Sequence, residues 1–164
     1  MTMAKILNIL DKILSGLMGG MFVIILALTV AQVIFRYVLN DALSWSAELT
    51  KITFVWMTFI GSAVAINRSR HMQIDIFVNN MPPRFRNILN ILIYSGMIVF
   101  LSVMTFYGVE VAEKAGRTIT GALGWPRSVF ILPVIISGAL MIIYSLKIIL
   151  IEMFNLLHNR EEQS

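Results

Sequence analysis

The residues of this 164-residue chain best placed for ion chemistry are Glu48 and Lys51, three positions apart at the edge of a long apolar stretch. Small proton-coupled exporters place a carboxylate at membrane depth, and Glu48 is the acid such an exporter would use here. The same spacing fits an ion pair at the membrane boundary, which is the expectation. His71 and Asp75, four positions apart, share a helix face and could hydrogen-bond there. They are too few for zinc, which takes three or four protein ligands. His71 and His158 lie outside the apolar stretches, so an axial haem ligand at membrane depth is not expected. The chain has no cysteine, which excludes disulfides, thiol relays and Cys-ligated zinc or iron–sulfur centres. It has no HExxH or GxSxG sequence either, so intramembrane hydrolysis has no visible machinery. No catalytic, cofactor or metal residue is therefore assigned.

What must position Glu48 and Lys51 is a set of four stretches, 13–35, 52–67, 87–109 and 128–146, none of which contains Asp, Glu, Lys, Arg or His. A span needs roughly 20 predominantly apolar residues, so three of these qualify directly. The second has 16 uncharged residues between Lys51 and Arg68, roughly 24 Å of helix against a hydrocarbon core of roughly 30 Å. Glu48 and Lys51 must then sit at the headgroup boundary or inside protein. Hydrophobic content of 58% leaves too little polar sequence for a sizeable soluble domain. The expected fold is all-α: one membrane domain over 1–164, with four transmembrane helices near 13–35, 45–67, 87–109 and 127–150. The first apolar run is too long for the core of a secretory signal, and is read as a retained span.

Between the spans the sequence carries its own punctuation. Gly16 and Gly20 form a small-xxx-small pair that lets another helix approach closely, although glycine is common in membrane helices for other reasons. Ser44 suits the N-cap of the second helix. Between 68 and 86 the chain leaves the bilayer; Ile74, Phe77, Val78 and Met81 follow helical spacing, while Met72, Ile74, Ile76 and Val78 fit a period of two. A short cytoplasmic interfacial helix, ended by Pro82-Pro83, is expected there. Glu110 with Lys114 and Glu113 with Arg117 are i, i+4 pairs that would carry the third helix out into water. Gly116, Gly121 and Gly124 mark a loop, Pro126 suits the first turn of the last span, and Pro133 predicts a kink within it.

Orientation follows from basic residues near the spans. With the N-terminus inside, eight Lys or Arg face the cytoplasm and five face outward, which favours both termini cytoplasmic. The net charge of +4 thus reads as topology and not as a nucleic-acid surface. Arg68, Arg70, Arg84 and Arg86 are candidates for anionic lipid head groups, each worth on the order of 1 kcal/mol. Trp45 and Trp125 then open outward-facing helix ends, where interfacial anchors belong.

Trp45-Ser-Ala-Glu48, then Trp56, Phe59-Ile-Gly61-Ser-Ala63, then Arg70-His71-Met-Gln-Ile-Asp75 and Pro82 together resemble the DctQ-like small membrane subunit of tripartite ATP-independent periplasmic (TRAP) transporters. Leu123-Gly-Trp-Pro126 and Pro133 are similar to that family's entry into its last helix. The resemblance covers nearly the whole chain, in order. It implies a non-catalytic four-helix subunit of the bacterial inner membrane, bound to a large multi-span subunit that holds the substrate and sodium sites. It further implies a periplasmic binding protein that delivers an organic acid of the C4-dicarboxylate, sialic acid or keto acid class. On that reading Trp45, Glu48, Lys51, Gly61, Gly16 and Gly20 are expected against the large subunit. Tyr37, Asp41, Lys114, Arg117, Trp125 and Arg127 are expected to meet the binding protein. The alternatives are a self-sufficient homodimeric proton-coupled exporter working through Glu48, and a lipid-binding or assembly factor.

Overall fold

The computed structural model describes residues 2–69 and 83–161. The interfacial helix expected between 68 and 86 falls mainly outside them. Helix α1 spans Thr2–Tyr37, α2 Ser44–Ser69, α3 Pro83–Ala115 and α4 Leu132–Glu161, with a 3-10 turn at Arg127–Phe130. All four helices are long and apolar enough to cross a membrane. The chain is an all-α, multi-pass membrane protein.

The helices do not close into a square bundle. α1 packs on α2, α2 on α4 and α4 on α3, which gives the spatial order α1, α2, α4, α3. Three helices share the core: Ala63 of α2, Leu101 of α3, and Met141 and Tyr144 of α4, flanked by Ile66, Met97, Met104, Leu140 and Ile142. Lipid tails are as apolar as these side chains, so this core is held by van der Waals packing and interhelical hydrogen bonds more than by the hydrophobic effect. Small residues set the closeness. A Cβ on Gly138 of α4 would overlap Thr105 Oγ1 of α3, so glycine is what lets the two backbones approach there. The outer face of α3 carries exposed Leu92, Val99, Phe100 and Phe106.

α2 is the most polar span, yet it remains helical because its hydroxyls are satisfied locally. Thr50, Thr53, Thr58 and Ser62 donate to the carbonyls of Ser46, Leu49, Phe54 and Thr58 at 2.8–2.9 Å. In hydrocarbon a polar group without a partner is costly, and this back-bonding supplies one. At the end of α1 the chain turns through Asn40 at φ 51°, and Asp41 N–H donates to the Phe35 carbonyl at 3.1 Å. Asparagine is among the few non-glycine residues that occupy this left-handed region readily.

The last helix departs from the sequence reading. Pro126 precedes the 3-10 turn and does not enter a helix, and Pro133 lies in the first turn of α4, fully buried. It starts the helix and does not kink it: a first-turn residue has no intrahelical acceptor to lose, and the fixed φ of proline suits that position. Of the two pairs expected at the end of α3, Glu110–Lys114 forms at 2.6 Å. Glu113–Arg117 does not, because the helix stops at Ala115 and Arg117 N–H bonds the Lys114 carbonyl in a turn.

Candidate functional site

The end of the molecule that carries the α1–α2 turn and the α3–α4 loop is built around one carboxylate. The loop folds on itself as a short antiparallel bridge between Ile119 and Pro126. Thr120 N–H donates to the Trp125 carbonyl at 2.7 Å, Arg127 N–H to the Thr118 carbonyl at 2.9 Å, and Trp125 N–H to Thr120 Oγ1 at 3.1 Å. Gly124 at φ 65° makes the reversal possible, since a side chain there would be strained. The bend leaves the N–H groups of Ala122 and Leu123 pointing at α2. Glu48 fills that place: Oε1 accepts from Ala122 at 3.0 Å and Oε2 from Leu123 at 2.9 Å. About two turns further along α2, Trp56 Nε1 donates to the Val129 carbonyl at 3.1 Å and secures the 3-10 turn.

This corrects the expected role of Glu48. Glu48 and Lys51 form no ion pair; the carboxylate is committed to the loop, and Lys51 is exposed. A carboxylate that accepts two backbone N–H groups forms charge-assisted bonds, among the stronger hydrogen bonds available. Sequence reasoning could not see this, because it pairs α2 with a loop 74 and 75 positions away.

Around this clasp lie the residues expected to meet a soluble partner. Tyr37 is 74% exposed at the end of α1, beneath the Arg36 guanidinium at 6.0 Å from its ring centre. Asp41, Lys114, Arg117, Trp125 and Arg127 are also exposed, on the turn and loop of the same end. The fold therefore brings this set to one end of the molecule. The set expected against a large subunit is more scattered. Trp45, Lys51, Gly16 and Gly20 face outward, with open space beyond both glycines, whereas Gly61 packs inside the chain against Met18 of α1.

The opposite end holds a second polar network that the sequence reading missed. Asp11 of α1 accepts from Arg68 Nε at 3.1 Å and Nη2 at 3.0 Å, and from Asn67 Nδ2 at 3.4 Å. Arg68 Nη2 also donates to Ser15 Oγ at 2.6 Å, and Lys147 Nζ of α4 reaches Asn67 Oδ1 at 3.4 Å. Arg68 is thus partly engaged by α1, while the side chains of Arg70, Arg84 and Arg86 lie outside the described residues. A further acid, Glu152, is buried between α4 and α3, where Asn90 Nδ2 donates to it at 3.4 Å. Glu48 is therefore not the only acid in a helix long enough to span. The signal that could have found Asp11 is depth: it precedes the first apolar run as Arg68 follows the second, so neighbouring antiparallel helices bring them level. Among the described residues, no group of three or more His, Cys, Asp or Glu side chains could hold a metal ion.

Residues 25–155 match the model of the family described as tripartite ATP-independent periplasmic transporters, DctQ component. The chain is 32% identical over 117 residues to the sialic acid TRAP transporter permease protein SiaT of Haemophilus influenzae, which covers 70% of this chain and 18% of that protein. It is 31% identical over 111 residues to the sialic acid TRAP transporter small permease protein SiaQ of Vibrio cholerae, covering 67% of this chain and 62% of the relative. A third relative, the ectoine TRAP transporter small permease protein TeaB of Halomonas elongata, is 31% identical over 133 residues, covering 74% of this chain and 66% of its own length.

Proposed function

We propose, from the premise that this chain belongs to the DctQ component family of tripartite ATP-independent periplasmic transporters, that it is the small membrane subunit of a sodium-coupled transporter for an organic acid. It is a transporter component and not an enzyme. Its substrate belongs to the C4-dicarboxylate, sialic acid or keto acid class. It works as one domain over 1–164 in the bacterial inner membrane, with both termini cytoplasmic. There it braces a large multi-span subunit and offers the end built around Glu48 to a periplasmic binding protein.

The observation that carries this reading is the size of two relatives. The matched stretch makes up 18% of SiaT of Haemophilus influenzae and 12% of the isethionate TRAP transporter permease protein DctMQ of Oleidesulfovibrio alaskensis. Each is a permease protein several times longer than the segment that resembles this chain, which supports a role beside a larger membrane partner. Trp45, Lys51, Gly16 and Gly20 are exposed on helices and are the residues we assign to that contact, whereas Gly61 and the carboxylate of Glu48 act from within the subunit. An exporter working through Glu48 is disfavoured, because both carboxylate oxygens already accept loop N–H groups.

Single cysteines at Tyr37, Asp41, Lys114, Arg117, Trp125 and Arg127 test the docking role. Cross-links to the binding protein are expected from this surface, and none from a cysteine at Leu92 on the outer face of α3. Equal cross-linking from both surfaces, or from neither, would remove that role. Reconstitution of the chain alone tests the scaffold reading: solute uptake should require the large subunit. Proton-driven flux by the chain alone, abolished by Glu48→Gln, would establish the exporter instead.

A further inference from the structure

Between α1 and α2 runs an open groove of about 710 Å³ that the docking and scaffold roles do not use. Ser15, Gly19 and Phe22 line it from α1, and Thr58, Ser62 and Arg68 from α2, over a floor of apolar side chains. Its two ends differ. At the end nearest the N-terminus, the Arg68 side chain is 59% exposed and is held in place by Asp11 and Ser15. These bonds use Nε and Nη2; among the described residues the Nη1 edge of the guanidinium has no partner, which leaves two N–H donors for a ligand. Exposed Lys12 lies one turn before Ser15 on the same face of α1 and adds a second cation. Towards the other end the lining becomes apolar or carries hydroxyls already bonded to their own helix: Thr58 to Phe54 and Ser62 to Thr58.

Length and charge together identify the occupant. From Arg68 to Thr58 is ten residues of α2, roughly 15 Å of helix, or half of a hydrocarbon core of roughly 30 Å. Beyond the groove α1 and α2 are tied together by Gln32 Nε2 donating to Thr50 Oγ1 at 3.0 Å. A groove one leaflet deep, apolar along its body and cationic at its mouth, matches a single phospholipid.

We propose that this groove binds one anionic phospholipid from the leaflet on the N-terminal side, with its phosphate on Arg68 and Lys12 and an acyl chain lying along Gly19 and Ser62. The two N–H groups of Nη1 are charged donors suited to a phosphate oxygen, and the Asp11 contact fixes their orientation before the lipid arrives. Open space at Gly19 leaves room for the chain: a Cβ there would meet nothing within 4 Å.

Native mass spectrometry of the full chain released from detergent tests this directly. One dioleoylphosphatidylglycerol per chain should be retained, while dioleoylglycerol, which lacks the phosphate, and inorganic phosphate, which lacks the acyl chains, should not. Arg68→Gln should weaken retention by about tenfold, the scale of a lost charge-assisted contact. Gly19→Leu fills the groove and should abolish retention, and Gly96→Leu, the same change on the open outer face of α3, should leave it intact. Because Arg68→Gln also loosens α1 from α2, Gly19→Leu decides the matter if that variant unfolds. Equal retention of dioleoylglycerol, displacement by inorganic phosphate, or undiminished retention in Gly19→Leu each overturns the proposal. So does a Gly19→Leu chain that keeps its lipid but no longer co-purifies with the large subunit, since the groove would then seat a protein helix.

Discussion

Glu48 Oε2 lies 2.9 Å from the backbone nitrogen of Leu123, 75 positions further along the chain. With the Ala122 bond at 3.0 Å, this contact makes the first turn of α2 the foundation of the α3–α4 loop. Glu48→Ala removes both acceptors and leaves two N–H groups to find water. Hydrogen exchange at 120–124 should then quicken severalfold while the amides of the α3 and α4 interiors stay protected. Glu48→Gln retains one acceptor oxygen and should fall between the two, and transport with the binding protein should decline in the same order. Unchanged loop exchange in Glu48→Ala would show that the carboxylate does not hold the loop.

The Asp11–Arg68 pair joins α1 to α2 at the opposite end, but the Arg68 side chain is 59% exposed and water screens it. Asp11→Asn should therefore lower stability by only about 0.2–1 kcal/mol, seen as a small drop in melting temperature in detergent. Raising the salt concentration should narrow the difference between wild type and variant. A large, salt-independent loss would mean that Asp11 does more than pair with Arg68.

Gly138 and Thr105 are coupled by contact. Gly138→Ala forces a methyl group onto Thr105 Oγ1 and should cost about 1–3 kcal/mol. Thr105→Ala removes the obstruction, and among the described residues the Thr105 hydroxyl has no hydrogen-bond partner to lose, so alone it should be nearly neutral. In the double variant most of the loss should return. Additive losses, measured by unfolding in mixed micelles, would contradict the close approach of α3 and α4.

Tyr144 is completely buried in the three-helix core, yet among the described residues its hydroxyl is without a hydrogen-bond partner. Tyr144→Phe should accordingly be neutral or stabilising by up to about 1 kcal/mol, because the ring stays and an unsatisfied polar atom goes. Tyr144→Ala should cost about 3 kcal/mol or more by leaving a cavity among Ala63, Leu101 and Met141. If Phe proved as damaging as Ala, the hydroxyl would be bonded and this account of the core would fail.

Composition and the spacing of apolar residues determined the fold class and the four spans, because hydrocarbon tolerates no backbone without internal hydrogen bonds and charges can be counted directly. Order of spans, the continuation of α3 beyond its apolar stretch and the Glu110–Lys114 pair were legible for the same local reason: each depends on residues a few positions apart. Motif spacing around Trp45, Gly61 and Trp125 was enough to indicate the family. Tertiary structure alone decided what Glu48 and Arg68 do. A side chain with two competing partners takes the one the helix order brings near: Glu48 faces the loop N–H groups and not Lys51, and Arg68 faces Asp11. The order α1, α2, α4, α3 is itself a packing outcome, set by close approaches such as Gly138 to Thr105 that no hydropathy pattern records. It leaves α1 beside α2 alone at the edge of the row, and so opens between them a groove that no stretch of sequence contains.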